Sequence, residues 1–314
     1  MDGLPQVSFV DALPNWSASA SQRTLKTAIG CVGIGLHGGR RVSVMLRPAG
    51  AGTGVVFHRT DVDVRIAATF DRVVDTRLCT VLASDERPDI RVGTVEHLMA
   101  AFGALGIHNA VVELDGPEVP VLDGSAAPWV FLLDCAGSVT LDAPARVIEV
   151  LRPVRVGADA AYAELRPGRA AGLDLSVCIE FAAPAIGRQA LNLSLSAETF
   201  RGALQSARTF TEAHEVAGLR AAGLAMGGSL DNAVVVDGAR VLNPAGLRMA
   251  DEFVRHKALD AVGDLALAGG ALSGRFVGHR SGHALNNQVL RALFADPANW
   301  RDVAPEYGAV LRAA

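Results

Sequence analysis

At 314 residues, half of them apolar, a fifth charged and 5% aromatic, the chain has the makeup of a globular protein long enough for two domains, each with its own core. A net charge of −4 leaves no basic footprint for nucleic acid, so an anionic ligand would have to be met by local cations. Four widely spaced cysteines suit a reducing compartment, and the longest run free of Asp, Glu, Lys and Arg, residues 97–112, is too short and too polar to span a membrane.

Residues 1–20 hold two prolines and Trp16 but no Lys or Arg. They lack the positive start of a signal peptide and read as a loosely ordered extension. Patterning begins near Gln22. Residues 40–47 alternate, with Val42, Val44 and Leu46 on one side, as a strand does. Thr94 is expected to cap a helix running to about Leu105, with Glu96 and His97 in its first turn. A strand from Asn109 to Leu114 follows, and Asp123-Gly124-Ser125 opens a helix ending near Gly137. The boundary between halves falls around residues 138–145.

Beyond it the period of two restarts over Arg146–Val156, and Gly172–Phe181 is the clearest strand, with Leu173, Leu175, Val177, Ile179 and Phe181 on one face. A helix near Ala197–Ala207 and a helically spaced segment over 212–222 come next. Val234–Val236, Asp237-Gly238 and Ala239–Leu242 predict a hairpin with a type I′ turn. A helix over 251–264 and a last one from His283 to Phe294 close the pattern. Strands and helices occur in both halves without strict alternation. The fold class is therefore α+β: two domains, 21–144 and 145–314, each a sheet with helices on one face.

The 251–264 segment carries the strongest chemical signal. His256, Asp260 and Asp264 are spaced by four and four and form one polar stripe, while Phe253, Val254, Leu259, Val262 and Leu265 make the rest apolar enough to pack. Imidazole and carboxylate one turn apart can converge on a single Zn²⁺. Only two of the 29 cationic residues are lysines, Lys26 and Lys257, and Lys257 adjoins His256. A compact point charge is the physical reason to prefer lysine there.

In the first half, Glu96 alone would complement a helix dipole and His97 alone would be a half-buried histidine. Taken with the stripe, His97, His256 and Asp260 make three ligands with a fourth position left for water, as in catalytic zinc sites. Glu96, beside a ligand but not one itself, is then the general base. His283 opens a helix after Ser281-Gly282. The helix N-terminus disfavours imidazolium there, whereas Asp264 within reach would favour it and make His283 the acid; by itself His283 is a polar helix start. His279 is expected to be solvated at a strand end. His58, His108 and His214 carry no spacing signal, and the glycine-rich turn around His37 lacks the G-x-G-x-x-G order.

From Gln22 onward the chain resembles the UDP-3-O-acyl-N-acetylglucosamine deacetylases, zinc amidases of bacterial lipid A synthesis. The likeness rests on Gly35-Leu36-His37, Asp75-Thr76-Arg77-Leu78-Cys79-Thr80, Thr94-Val95-Glu96-His97, Leu122-Asp123-Gly124-Ser125-Ala126, Arg208-Thr209-Phe210, Gly227-Gly228-Ser229, the Asp251–Asp264 helix and Ser281-Gly282-His283-Ala284-Leu285-Asn286-Asn287. The resemblance implies His97, His256 and Asp260 as zinc ligands, Glu96 as base and His283, paired with Asp264, as acid. It also implies that Thr209 donates to the oxyanion and that Lys257 lies near the sugar-nucleotide. Two α+β sandwiches, each with an insert, would pack around a zinc cleft. The second insert, roughly 211–230, would form an acyl passage lined by Val216, Leu224 and Leu230, with Phe210, Ala233 and Val235 nearby and Leu78 and Cys79 from the first domain. Arg77, Thr211-Glu212 and Leu230 depart from the family pattern, which bears on acyl length rather than on the chemistry.

The implied reaction is zinc-dependent hydrolysis of the N-acetyl amide of UDP-3-O-(3-hydroxyacyl)-N-acetylglucosamine by a cytoplasmic monomer, with peripheral membrane contact allowed and Fe²⁺ an acceptable alternative metal. Deacetylation of a different acylated amino sugar, or a zinc-containing sugar-nucleotide binder without catalysis, are the other readings. A binder would need none of Glu96, Thr209 and His283.

Overall fold

The computed structural model describes residues 21–168 and 172–303; the extension 1–20 lies outside the described residues. The architecture is α+β. Every strand pairing among the described residues joins strands on the same side of residue 145.

In the first half a five-stranded sheet runs in the order Ile29–Ile34, Arg41–Pro48, Ala110–Leu114, Val55–Arg59, Val64–Ala67. Val42, Val44 and Leu46 alternate onto its buried face, as the sequence pattern requires, and join Phe102, Trp129 and Val130 in the apolar core. These last three come from the helices Glu96–Leu105 and Ala127–Ala136. The expected boundary segment is itself a strand, Ser138–Pro144, which pairs back with Ser21–Leu25 and closes this half on its own beginning. A small three-stranded sheet, Val73–Asp75, Val81–Ala83 and Arg91–Val92, stands apart.

The second half is organised on Ala271–His279, antiparallel to Ala161–Arg166 and parallel to both Leu173–Glu180 and Val147–Val150. The helices Glu252–Ala266 and His283–Ala295 pack against this sheet. A second small unit places Phe210–Glu212 parallel to Val234–Asp237, with the helix Ala213–Ala221 between them, and runs on to Arg240–Val241, beyond the 211–230 expected. No described helix is long and apolar enough to cross a membrane.

Several local expectations are corrected. Thr94 adopts φ +56° and gives its hydroxyl to Glu118 Oε1 (3.0 Å), so it cannot cap; the helix starts after Val95 with no side-chain cap. The Arg146–Val156 run is two strands, Val147–Val150 and Val154–Ala158, parted at Pro153, which has no N–H to give a ladder. Phe181 lies past the end of its strand and is exposed. The 197–207 segment is one turn capped by Ser196, then a wider turn in which Gln205 N donates to Phe200 O (2.8 Å). In the hairpin Asp237 pairs with Arg240, so the loop is Gly238-Ala239. Only Gly238 has positive φ (+59°), which fits a II′ turn and not I′. His279 is half-buried and stacks on Tyr162 rather than standing in solvent.

The contact that matters most for function is between the 96–105 and 252–266 helices. A Cβ on Gly263 would lie 2.0 Å from the Glu96 carbonyl oxygen, and one on Gly103 would lie 3.1 Å from the Ala266 Cβ. Glycine at 263 permits an approach no other residue allows. It sets Glu96 and His97 beside the 256–264 stripe.

Candidate active site

His97, His256 and Asp260 each offer a ligand atom, all within 4.8 Å of one another, and all three side chains are buried. Asp260 Oδ1 lies 3.3 Å from His256 Nε2 and 3.6 Å from His97 Nε2, yet it has no hydrogen-bond partner. The reason is visible at His256. Its Nδ1 donates to the Ala207 carbonyl (3.0 Å), which leaves a lone pair on Nε2. Burial, reinforced by His97 and Lys257, pulls its pKa down to about 4, so the ring is neutral. Two lone pairs therefore face each other across a short gap in a buried place. A cation between them resolves that conflict, and the donor set of two imidazoles and one carboxylate fits zinc.

The other oxygen of Asp260 is occupied: Oδ2 accepts from Lys257 Nζ (2.8 Å). Burial works to lower the lysine pKa, but Asp260 outweighs it and the ammonium is retained. Burial likewise works against the Asp260 carboxylate, and His256 and Lys257 overcome it, holding its pKa well below the usual range.

Glu96 opens its helix fully buried. Its Oε2 accepts from the Thr80 N–H (3.0 Å), and its Oε1 is 3.8 Å from His283 Nε2. Burial raises its pKa, against the opposing pull of His283 and His97. His283 Nδ1 is bonded to Asp264 Oδ2 (2.8 Å), the pairing expected from the sequence. Burial would lower the His283 pKa, but Asp264 and Glu96 outweigh it and raise it to about 9, so the carboxylates win over the helix terminus. Asn286 also donates to Asp264 Oδ2 (2.9 Å), and the Thr80 hydroxyl donates to Asp264 Oδ1 (2.5 Å).

Beside this cluster is a cavity of about 360 Å³. Leu78, Thr209, Phe210, Val216, Leu230, Ala233 and Val235, all expected at the substrate, line it. Leu36, His37 and Leu219 line it as well. Leu224, expected there, does not. Cys79 does not either: it is buried, while Leu78 beside it is exposed. Burial pushes the Cys79 thiol far up, and Glu96 adds to the shift, so it is an inert packing group. Thr209 is held by two backbone bonds, its N–H to Gly124 O and its carbonyl to Val234 N–H, each 2.8 Å. Before it, Arg208 is locked by Glu252, which accepts from its Nε (2.8 Å) in a buried pair. The second unit is latched to the first half: Met226 N donates to His37 O (3.1 Å) and Gly227 N to Leu36 O (3.0 Å). Glu118 fixes the same turn from below, accepting from the amides of His37 and Gly38.

The sequence reading missed Thr80, Asn286, Glu118 and the Ala207 carbonyl as parts of the site. Thr80 and Asn286 fell inside recognised motifs, but no spacing rule gave them a role.

Residues 22–295 match the family model described as UDP-3-O-acyl N-acetylglycosamine deacetylase. The chain is 50% identical over 283 residues to a protein of Phenylobacterium zucineum, covering 89% of this chain and 95% of that one. It is 49% identical over 286 residues to one of Acidithiobacillus ferrooxidans, with 90% and 92% covered. With one of Shewanella loihica it shares 46% over 289 residues, 91% and 93% covered. All three relatives carry the name UDP-3-O-acyl-N-acetylglucosamine deacetylase.

Proposed function

Since the chain belongs to the UDP-3-O-acyl N-acetylglycosamine deacetylase family, we propose that the cluster at the crossing of the 96–105 and 252–266 helices hydrolyses the N-acetyl amide of UDP-3-O-(3-hydroxyacyl)-N-acetylglucosamine. The products are acetate and the free amine, in an early step of lipid A synthesis. The observation that carries the reading is the orphaned Asp260 Oδ1 facing two imidazole nitrogens.

His97, His256 and Asp260 would hold the metal, zinc by preference or Fe²⁺. When bound, that ion supplies Lewis-acid polarisation of the amide carbonyl and makes a neighbouring water easier to ionise. Glu96 takes a proton from the water that attacks the carbonyl carbon, and burial makes its carboxylate basic enough for the task. The Thr209 hydroxyl donates to the oxyanion, an interaction typically worth ~2.7–4 kcal/mol. His283, kept cationic by Asp264, gives its proton to the nitrogen as the C–N bond breaks, and the oxygen of water leaves in acetate. Lys257 anchors Asp260 and presents positive charge toward the sugar-nucleotide. The acyl chain occupies the cavity walled by Leu78, Phe210, Val216, Leu230, Ala233 and Val235.

On this reading the chain works as a cytoplasmic monomer of two domains divided near residue 145, each contributing one side of the cleft. Acetate release should be lost on chelation and restored by zinc. Glu96→Gln should keep substrate affinity while kcat falls ~10²–10⁴-fold, the usual contribution of a positioned base. Turnover equal to the parent enzyme would overturn the mechanism.

A further inference from the structure

We propose that Thr80 is a positioning residue that holds the general base and the partner of the general acid in one frame; the inference rests on the roles given above to Glu96 and His283. Thr80 is 1% exposed and stands immediately before the Val81–Ala83 strand of the first small sheet. Each of its polar groups is used on a different piece of the site. The amide N–H donates to Glu96 Oε2 (3.0 Å), the hydroxyl donates to Asp264 Oδ1 (2.5 Å), and the carbonyl accepts from Val95 N–H (3.5 Å) at the start of the Glu96 helix.

The hydroxyl bond is the informative one, because it crosses 184 residues of sequence from one half of the chain to the other. Asp264 Oδ2 is already committed to His283 Nδ1 and Asn286 Nδ2. Oδ1 receives the Thr80 hydroxyl, so the carboxylate is pinned at both oxygens and cannot swivel about its Cβ–Cγ bond. A pinned carboxylate fixes the imidazole it holds, and His283 Nε2 thereby stays 3.8 Å from Glu96 Oε1. Without the hydroxyl a buried carboxylate oxygen would lose its donor, and the ring would follow the carboxylate as it relaxed. The backbone bond to Glu96 would survive, so a side-chain substitution separates the two functions.

The test uses the zinc-loaded enzyme with Thr80→Val, which puts a methyl group in place of the hydroxyl, and Thr80→Ser, which keeps the hydroxyl. Loss of an outer partner of this kind typically costs ~10–100-fold, so Thr80→Val should lower kcat by at least about tenfold. KM should stay within about twofold, because the lost contact touches no substrate. Thr80→Ser should return kcat to near the parent value. In an Asp264→Ala background the Val substitution should change kcat by less than about twofold, since its effect runs through that carboxylate. The imidazole N–H proton resonance of His283, assigned by its disappearance in His283→Gln, should move in Thr80→Val and return in Thr80→Ser. Thr80→Ala serves for the same comparison if the Val protein does not fold. An unaltered kcat, an equal loss in the Asp264→Ala background, or an unmoved resonance would overturn the proposal. If the parent enzyme releases no acetate, the functional reading fails, and the resonance alone still decides whether Thr80 holds the Asp264–His283 pair.

Discussion

Protonation of His108 works against the fold on its acid side. Its Nδ1 accepts the Arg23 backbone N–H at 3.0 Å, and burial, with the Arg23 charge adding to it, lowers its pKa. The unfolded chain therefore takes up a proton first, near the ordinary value of about 6.5. The neutral ring's contribution to stability is complete above that pH and is lost as pH falls below it. Urea unfolding at about pH 7.5 and about pH 5.5 should show a smaller loss for His108→Gln, which keeps an acceptor but cannot titrate, than for the parent; an equal loss would refute the assignment. At this scale the site residues were legible when their spacing was short. The i, i+4 stripe of His256, Asp260 and Asp264 and the Glu96-His97 pair could be found in one line of sequence. Thr80 could not, because the bond that gives it meaning spans 184 positions and no local periodicity encodes it. Thr94 misled for a related reason: its side chain answers to Glu118, 24 residues on, and not to its own helix.

The crossing of the 96–105 and 252–266 helices is where the elements make a site out of two half-sites. Leu98, Ala101 and Phe102 on one and Leu259, Val262 and Leu265 on the other are all buried, so the apolar faces are a direct product of sequence patterning. The closeness of the approach is not. It depends on Gly263, where an added methyl would meet a carbonyl that has no freedom to move aside. Gly263→Ala is expected to destabilise by ~1–3 kcal/mol, as overpacking does, and to push His97 away from His256 and Asp260. Calorimetric zinc titration should then show weaker binding, not merely a lower Tm; full affinity in a destabilised protein would dissociate the crossing from the site. The strands were read well where one face is buried, as at Arg41–Pro48 and Leu173–Glu180. They were read poorly at Pro153 and at Gly238-Ala239, where the backbone chemistry of one or two residues decides the outcome.

Across the whole molecule, the sheets keep to their own sides of residue 145, while the candidate ligands do not: His97 comes from one side, His256 and Asp260 from the other. Fragments 1–144 and 145–314, produced separately, should each bind zinc far more weakly than the intact chain, as equilibrium dialysis would show. Tight binding by the second fragment alone would mean that His97 is dispensable. The mixed α+β class was legible from irregular alternation of periods. The latch of Met226 and Gly227 onto Leu36 and His37 was not, since its bonds are between backbones and the one mark on residue identity is Gly227, where a Cβ would lie 2.2 Å from the Gly35 carbonyl oxygen. The Lys257–Asp260 pair has a further consequence for the surface as a whole. With Lys26 the only other lysine in 314 residues, and exposed, an amine-directed reagent meets one open side-chain target while the second is held in its carboxylate grip. The chain that liberates an amine from its substrate presents almost no side-chain amine of its own, and a dye or tether carried on a lysine side chain would report from the Lys26 position and leave the cleft unmarked.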